Sequence, residues 1–151
     1  MSGVEPVPVL VEQVLHLATA VAEDLQDAVG ELGLTTPLAN LVWLLDPDAD
    51  PVPLRQLAGR LHCDPSNVTL LSDRLEEKGI AERRPHPGDG RVRTLVLTPA
   101  GEAVRRRILE HVEQHSPLAA LDAGQQRQLQ SLLATALAGR SSSRTSGTPV
   151  R

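Results

Sequence analysis

Aromatic residues are nearly missing: the 151-residue chain has no Phe, no Tyr and one Trp. Modules that grip RNA or single strands by stacking bases on aromatic side chains are therefore disfavoured. Cysteine occurs once, as Cys63, so neither an intramolecular disulfide nor a multi-thiolate metal site can form, which fits a reducing compartment. No stretch approaches the roughly 18 uninterrupted apolar residues of a membrane span, and no basic segment leads into an apolar core near the start. The expectation is a cytoplasmic protein with no membrane partner. A glycine-rich phosphate loop, a supported Ser/His/Asp order and a two-His helical metal motif with a general base are also missing. A non-enzyme without a cofactor or metal is expected.

What is present is a segregated charge. The net charge is -4, yet residues 53–107 hold 11 Lys and Arg against 7 Asp and Glu, while the remainder holds 4 against 12. A basic central segment supplies the sequence-independent attraction that nucleic-acid binding needs, and an acidic remainder discourages indiscriminate sticking. At this length one globular body is expected.

The hydrophobic spacing gives the order of elements. Leu10, Val14, Leu17, Val21, Leu25 and Ala28 recur at steps of three and four, predicting a helix over about 7–29. A second helix is predicted over 36–45, capped at Thr35 or Thr36 and ended by an Asp/Pro-rich loop over 46–53. Leu54, Leu57, Ala58 and Leu61 predict a short helix closed by a turn at His62-Cys63-Asp64. Asp64 as N-cap and Pro65 in the first turn then open a helix that ends at Gly79. Two extended pieces, 80–84 and 91–97, flank a Pro/Gly-rich turn and read as a hairpin. Thr98-Pro99 opens a helix to about His115, and a last helix runs from Asp122 with Leu129, Leu132, Leu133, Ala136 and Leu137 on one stripe.

Two short helices, a tight turn and a basic hairpin make the outline of a winged helix-turn-helix. On the helix after Asp64, Val68, Leu71 and Leu75 fall on one side and should pack on Leu57 and Leu61. Ser66, Thr69, Leu70 and Asp73 then lie opposite, flanked by Asn67 and Arg74. Hydroxyl, amide, apolar and arginine groups are those that read a major groove. Arg83, Arg84, Arg91 and Arg93 sit in or beside the hairpin, whose Gly/Pro tip suits a narrow minor groove, and Asp89 is placed to hold Arg91 extended.

The stretches Leu54-Arg55-Gln56-Leu57-Ala58, Asp64-Pro65-Ser66-Asn67-Val68-Thr69, Asp73-Arg74-Leu75-Glu76-Glu77-Lys78-Gly79-Ile80, Asp89-Gly90-Arg91 and Leu97-Thr98-Pro99-Ala100-Gly101 resemble the core of the MarR family. The resemblance covers roughly residues 36–115. It implies a mainly α fold with a small β-hairpin wing, a winged helix-turn-helix between N- and C-terminal dimerisation helices. It also implies a homodimeric, ligand-responsive repressor that binds double-stranded DNA at a pseudo-palindromic operator. Ser66, Asn67, Thr69, Leu70, Asp73, Arg74, Arg84, Asp89, Arg91 and Arg93 are then the DNA-binding candidates, with Arg91 in the minor groove. Gly90 departs from the family, which often has a second basic residue there.

Leu10, Val14, Leu17, Leu129, Leu132, Leu133 and Leu137 are the dimerisation candidates, because helices this apolar on one stripe need a partner surface. His16, Trp43 and His111 are candidates to border an effector cleft. The expected division is a dimerisation helix over 1–35, the DNA-binding domain over 36–98, dimerisation helices over 99–139 and a disordered tail over 140–151. His111 and His115 are four apart, but no third metal ligand is identifiable, and Cys63 reads as an inert turn residue. The alternative function is a winged-helix module for protein contacts that has lost DNA binding, since the overall charge is acidic.

Overall fold

The computed structural model describes residues 6–143. Helix α1 (Pro6–Glu31) follows the predicted stripe, but only its C-terminal end is buried, through Ala28 and Val29. It stops at Gly33, whose φ of 70° suits a residue without Cβ, while Leu34 N–H returns to Val29 O at 3.1 Å. Helix α2 (Thr36–Leu44) is the centre of the molecule, with Leu38, Ala39, Leu41 and Val42 all buried.

The loop expected over 46–53 ends in a strand, β1 (Val52–Pro53), so that part of the reading is corrected. Two residues carry no periodicity to detect, and Pro53 is tolerated because β1 lies at the edge of the sheet. Helix α3 (Leu54–Leu61) closes with His62 in the left-handed region at φ 53°, and Cys63 N–H bonds back to Ala58 O. Helix α4 (Pro65–Glu77) begins as predicted at Asp64-Pro65. The cap differs: the Asp64 carboxylate makes no capping hydrogen bond, and its carbonyl accepts from the N–H of Asn67 at 3.0 Å and Val68 at 3.3 Å.

Strands β2 (Ala81–His86) and β3 (Asp89–Leu97) form the antiparallel hairpin, with Ala81 opposite Leu97 and Pro85 opposite Arg93. β3 is the middle strand of the three, because β1 pairs its other edge at Val52 and Leu95. Helix α5 (Pro99–His115) starts from a full cap: the Thr98 hydroxyl donates to Gly79 O at 2.6 Å and accepts from Gly101 N–H at 3.1 Å. Gly101 is required there, since a Cβ would stand 1.9 Å from Ile80 O.

A 3₁₀ turn at Pro117–Ala120, which spacing alone did not reveal, leads to helix α6 (Ala123–Ser143). Asp122 caps α6 in a reciprocal box, its Oδ1 accepting from Gln125 N–H at 2.9 Å while Gln125 Oε1 accepts from Asp122 N–H at 3.0 Å. Because α6 runs to Ser143, residues 140–143 are helical, against the expected tail from 140. The rest of that expected tail, 144–151, lies outside the described residues.

One core unites these pieces. Leu41, Leu57, Leu75, Leu95 and Ile108, contributed by α2, α3, α4, β3 and α5, meet in it. Each such burial contributes about 1.5–3 kcal/mol, so α4 and the hairpin are held as parts of one rigid lobe. As expected, Val68, Leu71 and Leu75 turn inward with Leu57, and Leu61 packs half-buried beside them.

Candidate nucleic-acid interface

With Val68, Leu71 and Leu75 buried, the opposite face of α4 is presented to solvent: Ser66, Asn67, Thr69, Leu70, Asp73 and Arg74 are all exposed. Leu70 keeps 47% of its surface, although an apolar residue on a free helix face gains nothing there. Thr69 Oγ1 donates to Pro65 O at 3.2 Å, whereas the side chains of Ser66, Asn67 and Arg74 engage no other described residue. The face therefore holds unspent donors and acceptors.

The wing stands beside it. Arg91 and Arg93 are exposed, two apart on β3 and so on one face of the strand, and neither guanidinium has an ionic partner among the described residues. Arg84 is exposed too, paired with Glu82. Asp89 acts on Arg91 differently from the sequence expectation: its Oδ1 accepts from the Arg91 backbone N–H at 3.0 Å, which fixes the turn rather than the guanidinium. At the tip the His86 Nδ1 accepts from Gly88 N–H at 2.9 Å. A Cβ at Gly90 would meet open space.

Asp73, placed among the DNA contacts by its wheel position, is bound within the protein. Its Oδ1 is 2.7 Å from the Arg83 guanidinium, which also pairs with Glu76. Burial pulls the Arg83 pKa down, but the hydrogen bond with Asp73 and the charges of Glu76 and Asp73 outweigh that and leave it above its ordinary value. Sequence reasoning noticed Arg83 as one of several hairpin arginines and left it out of the site. The signal that singles it out is spatial: strand alternation turns Arg83 toward α4 and Arg84 away.

The dimerisation candidates divide. Leu10, Val14, Leu132, Leu133 and Leu137 stand exposed on α1 and α6, while half-buried Leu17 and Leu129 line, with Leu132, an apolar groove of about 390 Å³. The three effector candidates do not meet. Trp43 lines a groove of about 540 Å³ with Leu25, Arg60, His62 and Val112. His111 lines another, of about 180 Å³, and its Nε2 is 3.1 Å from Asp24 O. His16 is exposed on α1 and borders neither. His111 and His115 stack at 4.4 Å, and among the described residues no group of three metal-ligating side chains includes them. No helix among the described residues is long and apolar enough to cross a membrane.

Comparison with known proteins agrees with this geometry. The MarR family model matches residues 37–92, from α2 through the wing. The uncharacterized HTH-type transcriptional regulator YsmB of Bacillus subtilis (strain 168) is 25% identical over 95 residues, 62% of this chain and 64% of the relative. The chain thus spans less than two thirds of that curated relative's length. Among solved structures, the transcriptional repressor CouR bound to a 23-mer DNA duplex superposes with a TM-score of 0.69 at 25% identity, covering 91% of this chain and 98% of CouR. Wild-type MarR from E. coli, in its apo form, gives 0.66 at 24% identity over 85% and 96% of the two chains. The family model lies on the α2-to-wing segment that carries the exposed α4 face and the wing arginines, and over that segment this chain is similar to the MarR family.

Proposed function

We propose that the protein is a sequence-specific double-stranded DNA-binding transcriptional regulator, a repressor that acts as a homodimer on a pseudo-palindromic operator. The observation that carries this reading is one lobe holding an exposed polar face on α4 beside two wing arginines that have no ionic partner among the described residues. Serine, asparagine and arginine on α4 suit base edges and phosphates in the major groove, and Arg91 suits the minor groove. That CouR, similar in fold over nearly its whole length, is a repressor bound to duplex DNA supports the same reading.

The exposed leucines of α1 and α6 support dimerisation. Uncovered apolar surface of this kind is stabilised when a second copy buries it, and a twofold axis would set two α4 helices about one DNA turn apart. The groove beside Trp43 supports a small-molecule effector. It is lined from α1, α2, α3 and α5, so an occupant would touch both the lobe and the long helices and bias their spacing.

Fluorescence anisotropy on duplexes from the upstream region of its own gene, against a scrambled duplex and across salt concentrations, tests the proposal. Sequence-dependent binding that weakens steeply with salt is expected. No binding to any duplex would favour the protein-contact module instead.

A further inference from the structure

Arg83 touches α4 along a single stripe. Its Nη2 donates to Thr69 O at 3.4 Å and to Asp73 Oδ1 at 2.7 Å, and its Nη1 pairs with Glu76. These three positions are four and three residues apart, one above another on the helix. Glu76 is gripped twice by the same residue, because its other oxygen accepts the Arg83 backbone N–H at 2.8 Å. Side chain and main chain of one strand residue are thereby clipped to one helix face. Only a planar guanidinium spans two carboxylates in this way; an ammonium is a point charge.

The Asp73 side chain keeps 50% of its surface and lies on the face that carries Ser66, Thr69 and Leu70, where a phosphate backbone would approach. Left alone, Asp73 and Glu76 would repel that backbone. The Arg83 side chain keeps only 24% and spends its charge inside the protein. Pairs this exposed add little to folding, so the clip matters where it fixes relative positions.

Building on the DNA-binding reading above, we propose that Arg83 is a positioning residue for duplex binding. Clamped to Asp73 and Glu76, it holds the wing at a set distance from α4 and keeps both carboxylates from facing phosphate. Major-groove contacts from α4 and minor-groove contacts from Arg91 are then available at once, without Arg83 touching the nucleic acid.

The test measures duplex affinity by anisotropy for Arg83→Met, Arg83→Lys, the triple variant Arg83→Met/Asp73→Asn/Glu76→Gln, and the control Arg83→Met/Glu77→Gln, with circular dichroism melting of each. Arg83→Met is expected to bind about tenfold more weakly. Arg83→Lys, with charge but no fork, should fall between it and the wild type. The triple variant should regain most of the loss, and the control, which neutralises a carboxylate outside the clip, should not. Wild-type affinity in Arg83→Met, or equal recovery in the triple variant and the control, would overturn the role. Should Arg83→Met fail to fold, wild-type affinity in a folded Arg83→Lys would overturn it as well. Absence of duplex binding by the wild-type chain would overturn the DNA-binding reading itself.

Discussion

In the lobe from α2 to β3, Leu41, Leu57, Leu75 and Leu95 are 1% exposed or less, whereas Leu10, Leu132 and Leu137 on α1 and α6 are 55–65% exposed. The same residue type therefore does two kinds of work. A buried leucine contributes about 1.5–3 kcal/mol within its own chain, and an exposed one contributes only when another surface covers it. The lobe carries most of the buried core directly beneath α4 and the wing. In the proposed dimer, the two long helices supply the surface that a second copy would cover, so its stabilisation would depend on protein concentration.

Leu75→Ala should show the lobe's side of this contrast, lowering stability by about 2–5 kcal/mol at every protein concentration in thermal denaturation. A loss that disappeared at high concentration would mean that the lobe, too, leans on a partner. On the other side, Leu132→Asp combined with Leu133→Asp should weaken dimerisation about a hundredfold or more, read by light scattering as a halved mass. A persistent dimer would move the interface off α6. Between these, Gly101→Ala forces a Cβ against Ile80 O and should cost about 1–3 kcal/mol, because α5 joins lobe to arms at that contact. Unchanged melting would show that α5 slides freely there.

Within the lobe, Arg91→Ala should reduce duplex affinity about tenfold and the salt slope by roughly 0.9, with melting unaltered. Unaltered affinity would remove the wing from binding. The smallest effect belongs to Gly90→Arg. Open space at Gly90 admits the side chain, and one added cation near phosphate should tighten binding about twofold to threefold. No gain across salt concentrations would place residue 90 away from the backbone of the duplex.

Most of the helical order was legible because its signals are local. Thr98-Pro99 and Asp64-Pro65 mark helix starts by backbone chemistry, and the steps of three and four in Leu54, Leu57 and Leu61 need only neighbours in sequence. What escaped is short or contextual. β1 is two residues long, the turn at Pro117–Ala120 is four, and α6 continues through Arg140 despite a Ser/Thr-rich composition beyond it. Within the site, the wheel placed the exposed α4 residues well, since burial of Val68, Leu71 and Leu75 dictates the opposite face. It did not reveal that Asp73 pairs with Arg83, ten residues away on a strand.

By itself the sequence determined the helix-turn-helix, the basic hairpin and the apolar stripes of α1 and α6, because periodicity, caps and turn residues act over a few positions. Only the tertiary structure decided which charges remain available. It ties Arg83 to Asp73 and Glu76 and leaves Arg91 and Arg93 unpaired among the described residues. It separates His16, Trp43 and His111, which spacing could not, since long-range proximity depends on how α1, α2 and α5 cross. Ion pairs form between side chains brought within a few ångströms, and that distance is a property of the packed lobe rather than of the order of its residues.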